Sequence, residues 1–420
     1  MVYMKISLIA ICFCVCVMWM TWVSADDVQM GEPFTVQIMG NANRDEVVDQ
    51  QDIAYIQGII GGTQKKTDLA DANNDGTIDQ ADIDQVNRII SGTEDIIYYV
   101  NLMGEVASVK HPLNNIIVVY DNTAEIIRIL GAQNKVVGVD SMIIEKPKYF
   151  PEFSQLPSIG ERKDCNIEKI LELNPDAVFI HAKSESGCPD LEAKLKDKGI
   201  DVIRLGTWQS HTAVPSLMLM AYMLDKVDRA KQYVAYQQKY LDTIKERVNA
   251  IPKDKRLSVF IDRPGDTTTS KGSGYSESVE FAGGINIAKD LKGGFESVLP
   301  AVDSEWVVKE NPDVIIGLSW DGGYETDDMN VLKKRYDEIV AKPGFSEINA
   351  VKNKRVYITP YINVLGPGYH IGLIQFAKWL YPEQFKDLNV KTVQDEYITN
   401  WQNLYYDLNE HGVFGYPVSS

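Results

Sequence analysis

The stretch DANNDGTIDQAD, residues 71–82, carries oxygen-bearing side chains at the spacing of a calcium-binding loop. Such a loop needs hard oxygen ligands at positions one, three and five, a backbone carbonyl at seven and a carboxylate at twelve. Gly76 stands at position six, where the chain must turn sharply. The ligand positions hold Asp71, Asn73, Asp75, Thr77, Asp79 and Asp82. This loop is therefore predicted to bind calcium.

The same spacing occurs upstream in NANRDEVVDQQD, residues 41–52. Its ligand positions hold Asn41, Asn43, Asp45, Val47, Asp49 and Asp52. Two residues depart from the pattern: Asn41 replaces the first aspartate, and Glu46 replaces the glycine, where a positive φ would strain a residue with a side chain. Occupation of this first loop by calcium is left open.

Each loop is followed by apolar residues at helical spacing, up to Ile60 in the first copy and Ile90 in the second. This duplicated loop–helix unit resembles the type I dockerin module over residues 36–92. The resemblance implies that both repeats bind calcium and together dock onto a cohesin domain. It also implies that the pairs Gln50-Gln51 and Gln80-Ala81 help to select that cohesin. The alternative is a small calcium-held domain without a partner.

The composition and the N-terminal segment predict an exported acidic protein. Its 420 residues are 45% hydrophobic and carry a formal charge of −17, which argues against a nucleic-acid partner. Residues 1–25 place one lysine before an apolar run over residues 6–23 and end in Ser24-Ala25, which predicts a secretory signal cleaved after Ala25. An uncleaved membrane anchor is the alternative. Beyond this segment only Cys165 and Cys188 remain, so either one disulfide or two free thiols are expected.

From residue 94 onward, β-branched apolar runs alternate with amphipathic helical patterns, which predicts parallel sheets built from βαβ units. Residues 225–251 contain neither Gly nor Pro and predict one long helix. The expected fold is α/β, with two Rossmann-like lobes at about 94–212 and 252–417 joined by this helix and preceded by a small all-α calcium-binding domain. Strands are predicted at residues 115–120, 136–139, 176–181, 201–205, 258–262, 313–319 and 355–359.

An internal repeat supports two lobes, because IEKILELNPDAVFI at 167–180 matches SEWVVKENPDVIIG at 304–317. With NNIIVVYDNTAEIIRILGAQNKVVGVD, the linking helix and the closing LGPGYHIGLIQFAKWLYPEQF, this order resembles the class III, helical-backbone periplasmic binding proteins over residues 94–417. The resemblance implies capture of a ferric siderophore, cobalamin, haem or a related metal chelate and its delivery to an ABC-importer permease. It also implies that Glu168 and Glu305 contact that permease. The alternative is that both are ordinary glutamates in the first turn of a helix.

Ligands of open α/β sheets bind beyond the carboxyl ends of the strands. Aromatic and cationic residues stand there, and such a lining suits a flat or anionic metal chelate. Asn122 with Glu125 also predicts a capping box at a helix start. If the sheet order holds, a bridge between Cys165 and Cys188 would clamp two loops at the rim of the cleft. The candidate ligand-binding residues are Tyr120, Asn122, Arg162, His181, Trp208, Arg263, Tyr275, Trp320, Tyr361 and Tyr369.

Catalytic motifs are missing from the sequence, which contains no HExxH, GxSxG, P-loop or dinucleotide fingerprint. We therefore expect no catalytic residues and no enzyme. The alternatives are a dockerin-bearing secreted enzyme acting on polysaccharide and a scaffold or adhesion protein. Two lobes with a bridging helix favour capture over hydrolysis, and a scaffold would leave the aromatic residues unexplained. The sequence favours an extracytoplasmic, cell-surface-associated solute-binding protein.

Overall fold

The computed structural model describes residues 30–181, 187–295 and 297–417. The segment predicted to be a signal, residues 1–25, lies outside these ranges. Within them, none of the helices has both the length and the apolar character needed to cross a membrane.

The small N-terminal domain is not all-α as predicted, because a β-hairpin pairs with the chain that leads into its first loop–helix unit. Its elements are α1 (Gln50–Ile60), α2 (Gln80–Ser91), β1 (Ile96–Val100) and β2 (Val106–Lys110). Asp52 and Asp82, the twelfth residues of the two loops, each accept the backbone N–H of the N-cap aspartate three residues earlier, at 2.8 Å. The carboxylates that the sequence assigns to calcium therefore also complete the capping boxes of α1 and α2.

The first lobe contains a four-stranded parallel sheet. Its elements are β3 (Ile116–Val118), α3 (Asp121–Ile129), β4 (Val136–Val139), α4 (Ser141–Ile144), β5 (Gly160–Glu161), β6 (Asp164–Cys165), α5 (Ile167–Leu173), β7 (Ala177–His181), α6 (Leu191–Leu195), β8 (Asp201–Leu205) and α7 (Ser210–Leu224). The sheet order is β4-β3-β7-β8. Every residue of β3 and β7 is buried, as expected for strands covered by helices on both faces.

The helix predicted over 225–251 is found as α8 (Val227–Asn249). Its 23 residues span about 35 Å at a rise of 1.5 Å per residue. Arg229 near its start donates hydrogen bonds to the carbonyl of Ile129 at 3.0 Å and to that of Asn400 at 2.7 Å. Because Ile129 belongs to the first lobe and Asn400 to the C-terminal part of the chain, α8 ties the two together.

The second lobe repeats the architecture of the first. Its elements are β9 (Ser258–Asp262), α9 (Tyr275–Phe281), β10 (Ile285–Asn286), β11 (Gly293–Gly294), β12 (Val298–Leu299), α10 (Ser304–Glu310), β13 (Val314–Ser319), α11 (Asn330–Val340), α12 (Asn349–Lys352), β14 (Val356–Pro360), α13 (Tyr369–Leu380) and α14 (Val390–Asn400). Its parallel sheet has the order β10-β9-β13-β14. The predicted strands at 136–139, 201–205 and 258–262 are found with the same bounds, and the other four shift by one or two residues.

The internal repeat corresponds to one structural unit used twice. Asn166 caps α5 and Asp303 caps α10, each through its side chain. Both helices end at an asparagine in the left-handed conformation, with φ of 44° at Asn174 and 46° at Asn311. A buried strand, β7 or β13, follows three residues later. The Asn-Pro-Asp signal therefore marks a helix end and a strand start in both lobes.

The small domain packs against the helices that connect the lobes. The backbone N–H of Val48 donates to the Tyr222 hydroxyl on α7 at 2.7 Å. Lys245 on α8 forms an ion pair with Glu32 at 2.7 Å. Apolar residues of the small domain, among them Val36 and Ile56, belong to the same hydrophobic core as α7 and α8. Part of the surface of the first loop–helix unit is therefore buried against the rest of the protein.

Candidate functional site

Three predicted residues meet at the carboxyl end of the first sheet. Tyr120 lies two residues after the end of β3 and has a φ of 94°, an uncommon conformation for a residue with a side chain. The strand ends two residues earlier than predicted. The Arg162 guanidinium lies 4.9 Å from the centroid of the Tyr120 ring. The centroids of the Tyr120 and His181 rings are 5.2 Å apart. A cation and two rings therefore lie side by side at this edge of the sheet.

Trp208 extends this group of side chains toward the second lobe. It lies between β8 and α7, with its ring centroid 6.2 Å from that of His181 and 6.3 Å from that of Tyr275. The Trp208 carbonyl accepts the backbone N–H of Gly366 at 2.8 Å, which fixes the loop against the second lobe. Tyr275 is the first residue of α9, so the contact of the two rings crosses from one lobe to the other.

The second lobe ends the row with two more rings and a cation. Tyr361 lies with its ring centroid 5.7 Å from that of Tyr275 and 3.9 Å from that of Trp320, and its ring stacks on the latter. Arg263 donates from Nε to the Tyr361 hydroxyl at 3.0 Å. The Trp320 side chain is 69% exposed, although it follows a fully buried strand. We call the set the aromatic row: Arg162, Tyr120, His181, Trp208, Tyr275, Tyr361, Trp320 and Arg263.

The two arginines of the row are available to pair with a bound anion. In the described ranges, neither Arg162 nor Arg263 forms an ion pair with a carboxylate. The nearby carboxylate Asp262, 1% exposed at the end of β9, is occupied by Arg335 and by Lys342, the latter at 2.7 Å. An anion bound here would therefore meet two guanidinium groups that form no ion pair with a described carboxylate.

A second layer of charged groups supports Tyr120. Asp140 is buried directly after β4, and its carboxylate accepts the Tyr120 backbone N–H at 3.3 Å. Burial raises the pKa of Asp140 to about 7. Burial alone would also raise the pKa of Asp121, but the ion pair with Lys146 outweighs it and holds that pKa below its usual value. Asp140 was missed from the sequence, although its place at a strand end was a usable signal.

Two predicted ligand-binding residues lie outside the row. Tyr369, 2% exposed on α13, lines a cavity beside the small domain together with Met30 and with Val234 of α8. Asn122 is 4% exposed, and its amide donates to Glu125 at 3.4 Å. The predicted capping box at this point is wrong, because Tyr120 is the N-cap of α3 and Asn122 already lies within the helix. The sequence places both residues at the start of a helix, but this position does not determine which way their side chains point.

The two cysteines are neighbours and buried, with Cys165 6% and Cys188 2% exposed. Both are free thiols in this structure, so the predicted disulfide stays a prediction. The Cys165 thiol and its backbone N–H both hydrogen-bond to the Cys188 sulfur, and the thiol bond is the main reason why the pKa of Cys188 falls below its usual value. They lie in the first lobe at the rim that carries Arg162.

Glu168 and Glu305 occupy matching places in the two lobes. Each is the second residue of its helix, α5 or α10, and each is exposed. In the part of the chain that the structure describes, neither carboxylate forms an ion pair. Their positions agree with a contact to a partner and equally with a carboxylate favoured by the helix dipole.

In the second loop of the small domain, the chain turns around the Asp71 side chain. The Asp71 carboxylate accepts the N–H of Asp75 at 3.1 Å and of Gly76 at 2.8 Å. Gly76 has φ of 90°, and a side chain there would be strained. Within the described ranges no three His, Cys, Asp or Glu side chains converge, so the donor set of this loop also depends on the oxygens of Asn73 and Thr77.

The first loop is closed by an amide. Asn41 is fully buried, and its Nδ2 donates to the carbonyls of Val36 at 2.9 Å and Asp45 at 2.6 Å. An aspartate could not make these bonds, because it has no N–H donor. Among the described residues of this loop, positive φ occurs at Arg44 and not at Glu46, so the predicted strain at Glu46 is avoided. The residues of the first loop fit a calcium ion less well than those of the second.

Comparison with known proteins matches the two-lobed part of the chain. Residues 116–362 match the profile of a family described as "Periplasmic binding protein". The chain is 31% identical over 286 residues to the uncharacterized ABC transporter substrate-binding lipoprotein YvrC of Bacillus subtilis, an alignment that covers 67% of this chain and 84% of the relative. It is 23% identical over 326 residues to the molybdate-binding protein MolA of Haemophilus influenzae, covering 71% and 85%.

Solved structures share the fold. The TroA-like periplasmic binding protein FepB of Veillonella parvula superposes with a TM-score of 0.61 at 20% identity, covering 76% of this chain and 98% of that one. Molybdate-bound MolA of Haemophilus influenzae superposes with a TM-score of 0.59 at 21% identity, covering 74% and 99%. The family match begins beyond the small N-terminal domain, so it says nothing of that domain.

Proposed function

Because this chain belongs to the periplasmic binding protein family, the non-enzymatic solute-binding components of ABC transporters, we propose that it captures an anionic metal chelate between its two lobes. The chelate is an iron–siderophore or a related complex such as a corrinoid or haem. The protein acts outside the cytoplasmic membrane, as its relatives do, and hands the chelate to the permease of its transporter. The relative MolA, which binds molybdate, supports a metal-containing anion as the ligand class.

The observation that carries this proposal is the pair of arginines at the two ends of the aromatic row. Arg162 comes from the first lobe and Arg263 from the second, and each lies against a tyrosine ring. A ligand with negative charge at its edges and flat organic surfaces between them would meet both arginines and the rings. The exposed ring of Trp320 gives such a ligand an apolar surface to cover.

Titration of tryptophan fluorescence tests the ligand class. Ferric catecholate and hydroxamate siderophores, a corrinoid, haem and molybdate are added to the purified protein in turn. We expect one chelate to quench the emission of Trp208 and Trp320 saturably, with Kd of about 1 μM or below, equivalent to about −8 kcal/mol. The same titration on Trp320→Phe shows how much of the quenching comes from Trp320. The proposal fails if no metal complex binds.

We propose further that Glu168 and Glu305 contact the permease. They are exposed, lie at equivalent positions of the two lobes and could both face one membrane protein. The double variant Glu168→Gln/Glu305→Gln should lower transport in cells while leaving Kd for the ligand unchanged. Glu172→Gln, which removes an exposed glutamate from the same helix α5, is the matched control. Equal transport by all three proteins would contradict the contact.

For the small domain, we propose that the second loop binds one calcium ion and that the exposed side of the domain docks onto a cohesin-type domain. The backbone arrangement around Asp71 and Gly76 supports the calcium site. The residue pairs that begin α1 and α2, at 50–51 and 80–81, are all exposed, which supports docking. Binding to immobilised type I cohesin domains should be seen with calcium and lost with EDTA. Calcium-independent melting of the small domain would contradict the metal site.

A further inference from the structure

Two cysteines bracket the turn that carries Arg162. β5 and β6 pair as a short antiparallel hairpin, with Gly160 opposite Cys165, and Arg162 lies in the connection between the two strands. The Cys188 N–H donates to the Arg162 carbonyl at 2.7 Å, and the Cys165 sulfur lies 3.9 Å from the same oxygen. Both cysteines therefore contact the backbone of Arg162, the first lobe's cation in the aromatic row.

Cys188 is held in place from its other side. Arg204 on β8 donates to the carbonyl of Gly187 at 3.0 Å and to that of Cys188 at 3.4 Å. The same guanidinium pairs with Glu192, with Nη2 to Oε2 at 2.9 Å. Cys188 adopts a positive φ of 36°, which costs free energy and persists only where surrounding contacts impose it. The position of Cys188 against Cys165 is thus imposed by the fold.

We propose that Cys165 and Cys188 form a disulfide when the chain folds outside the cytoplasm, and that this bond positions Arg162 for the anionic ligand. The inference rests on the proposed function in giving Arg162 a ligand to hold. Each thiol loses its proton and the pair loses two electrons as the S–S bond forms. A disulfide-bearing oxidant of the thiol–disulfide exchange class takes them and is reduced to two thiols.

The surroundings of the pair favour this chemistry. The Cys165 thiol and its backbone N–H both hydrogen-bond to the Cys188 sulfur, so the fold places the two sulfurs side by side. In the folded protein both sulfurs are buried, so exchange takes place before folding is complete and the bond is then shielded from reductants. No side chain in the described ranges forms an ion pair with Arg162, so its orientation depends on its turn and on the Tyr120 ring.

A peptide map tests whether the bond exists. The exported protein is purified without reductant, alkylated in denaturant and digested. We expect one peptide pair linked through Cys165 and Cys188 that separates only after reduction. Recovery of both residues as separately alkylated peptides would overturn the proposal. This map needs no ligand, so it decides on the disulfide even if the protein binds no anionic chelate and the proposed function fails.

A double-mutant cycle tests the role in positioning. Cys165→Ser/Cys188→Ser should raise Kd for the anionic chelate about tenfold, whereas in an Arg162→Gln background the same change should leave Kd unaltered. Melting curves of all variants show whether they fold. An equal loss of affinity in both backgrounds would mean that the bond stabilises the lobe without acting through Arg162, and would overturn the positioning role. An unchanged Kd in the serine variant would overturn it too.

Discussion

Trp208 of the first lobe and Tyr275 of the second lie with their ring centroids 6.3 Å apart, and this contact joins the two halves of the aromatic row. The hydroxyl of Ser210, two residues after Trp208, donates to the carbonyl of Gly274 at 3.3 Å, so a hydrogen bond also joins the lobes here. The row is continuous because the lobes touch at this point. Relative movement of the lobes would separate the two rings and open the cleft between Arg162 and Arg263.

The exposed Trp320 ring is expected to serve the ligand and not the fold. Trp320→Ala should raise Kd for the chelate about fivefold, since a stacking contact contributes about 1 kcal/mol. The melting temperature should fall by no more than about 2 °C, because the ring is 69% exposed and the contact that the fold loses is its stack on Tyr361. Tyr405→Ala removes another highly exposed ring, 97% exposed, and is the control. If the tryptophan variant instead unfolds early with unchanged Kd, its ring is structural.

The buried charge cluster at Asp262 makes a prediction about stability. Asp262→Asn removes the buried carboxylate between Arg335 and Lys342. Their other ion-pair partners, Glu338 at 3.6 Å and Asp266 at 3.2 Å, are exposed carboxylates. Removing one partner of a buried ion pair costs about 3 to 5 kcal/mol, so the midpoint of urea unfolding should drop strongly. Asp254→Asn breaks an exposed pair with Lys255 and should change the free energy of unfolding by less than about 0.5 kcal/mol. Similar midpoints for both variants would contradict the account.

The free energy of unfolding is expected to depend on pH through Glu125. Burial raises the pKa of Glu125 from 4.5 to about 8, although hydrogen bonds from Tyr149 and Asn122 oppose the shift. The charge of Asp121 adds to this rise in pKa, and the charge of Lys146 opposes it. The folded state therefore binds this proton more tightly than the unfolded chain, and the free energy of unfolding falls as pH rises from about 4.5 to about 8.

The variant Glu125→Gln should flatten this dependence. Melting temperatures at pH 5 and pH 8 should differ less in the variant than in the wild type, by an amount worth up to about 3 kcal/mol. Some slope should remain, because burial also raises the pKa of Asp140, to about 7. A variant with the full wild-type slope would show that Glu125 is ionised in the fold at neutral pH.

Much of the fold and of the row could be predicted from the sequence. Strands buried on both faces are continuous apolar runs, and the residue that follows each one, such as His181, Arg263 or Trp320, must lie at the carboxyl edge of a sheet. The errors at Asn122 and Tyr369 have a different cause. Both stand in the first turn of a helix, and the direction of a side chain there depends on tertiary packing that no local pattern contains.

Contacts between distant segments also could not be read from the sequence. Glu125 accepts from the Tyr149 hydroxyl, and the Tyr149 ring stacks on Tyr324 of the other lobe with their centroids 4.0 Å apart. Nothing in the spacing of these three residues signals that they meet. The amide of Asn41, which closes the first loop by binding two carbonyls, is another case. Its substitution for aspartate signalled weaker calcium binding but not the bonds that replace the ion.

Calcium stoichiometry distinguishes the two loops. Because Asn41 closes the first loop with its own amide, the protein should bind one calcium ion, in the second loop. Asp71→Ala should abolish binding measured by isothermal titration calorimetry. Asn41→Asp restores the usual ligand of the first loop but removes the donor to Val36 and Asp45, so it tests whether that loop can be converted. Two ions per wild-type chain would contradict this assignment.

The most direct test of the central claim is calorimetric titration of the tightest-binding ferric chelate into the wild type and Arg162→Gln/Arg263→Gln. We predict one chelate per wild-type chain, with Kd raised about 100-fold in the double variant, because each charged hydrogen bond contributes about 1.5 kcal/mol. Lys163→Gln removes an exposed charge beside Arg162 and should bind like the wild type. Equal Kd values for all three proteins would contradict capture of an anionic chelate by the two arginines.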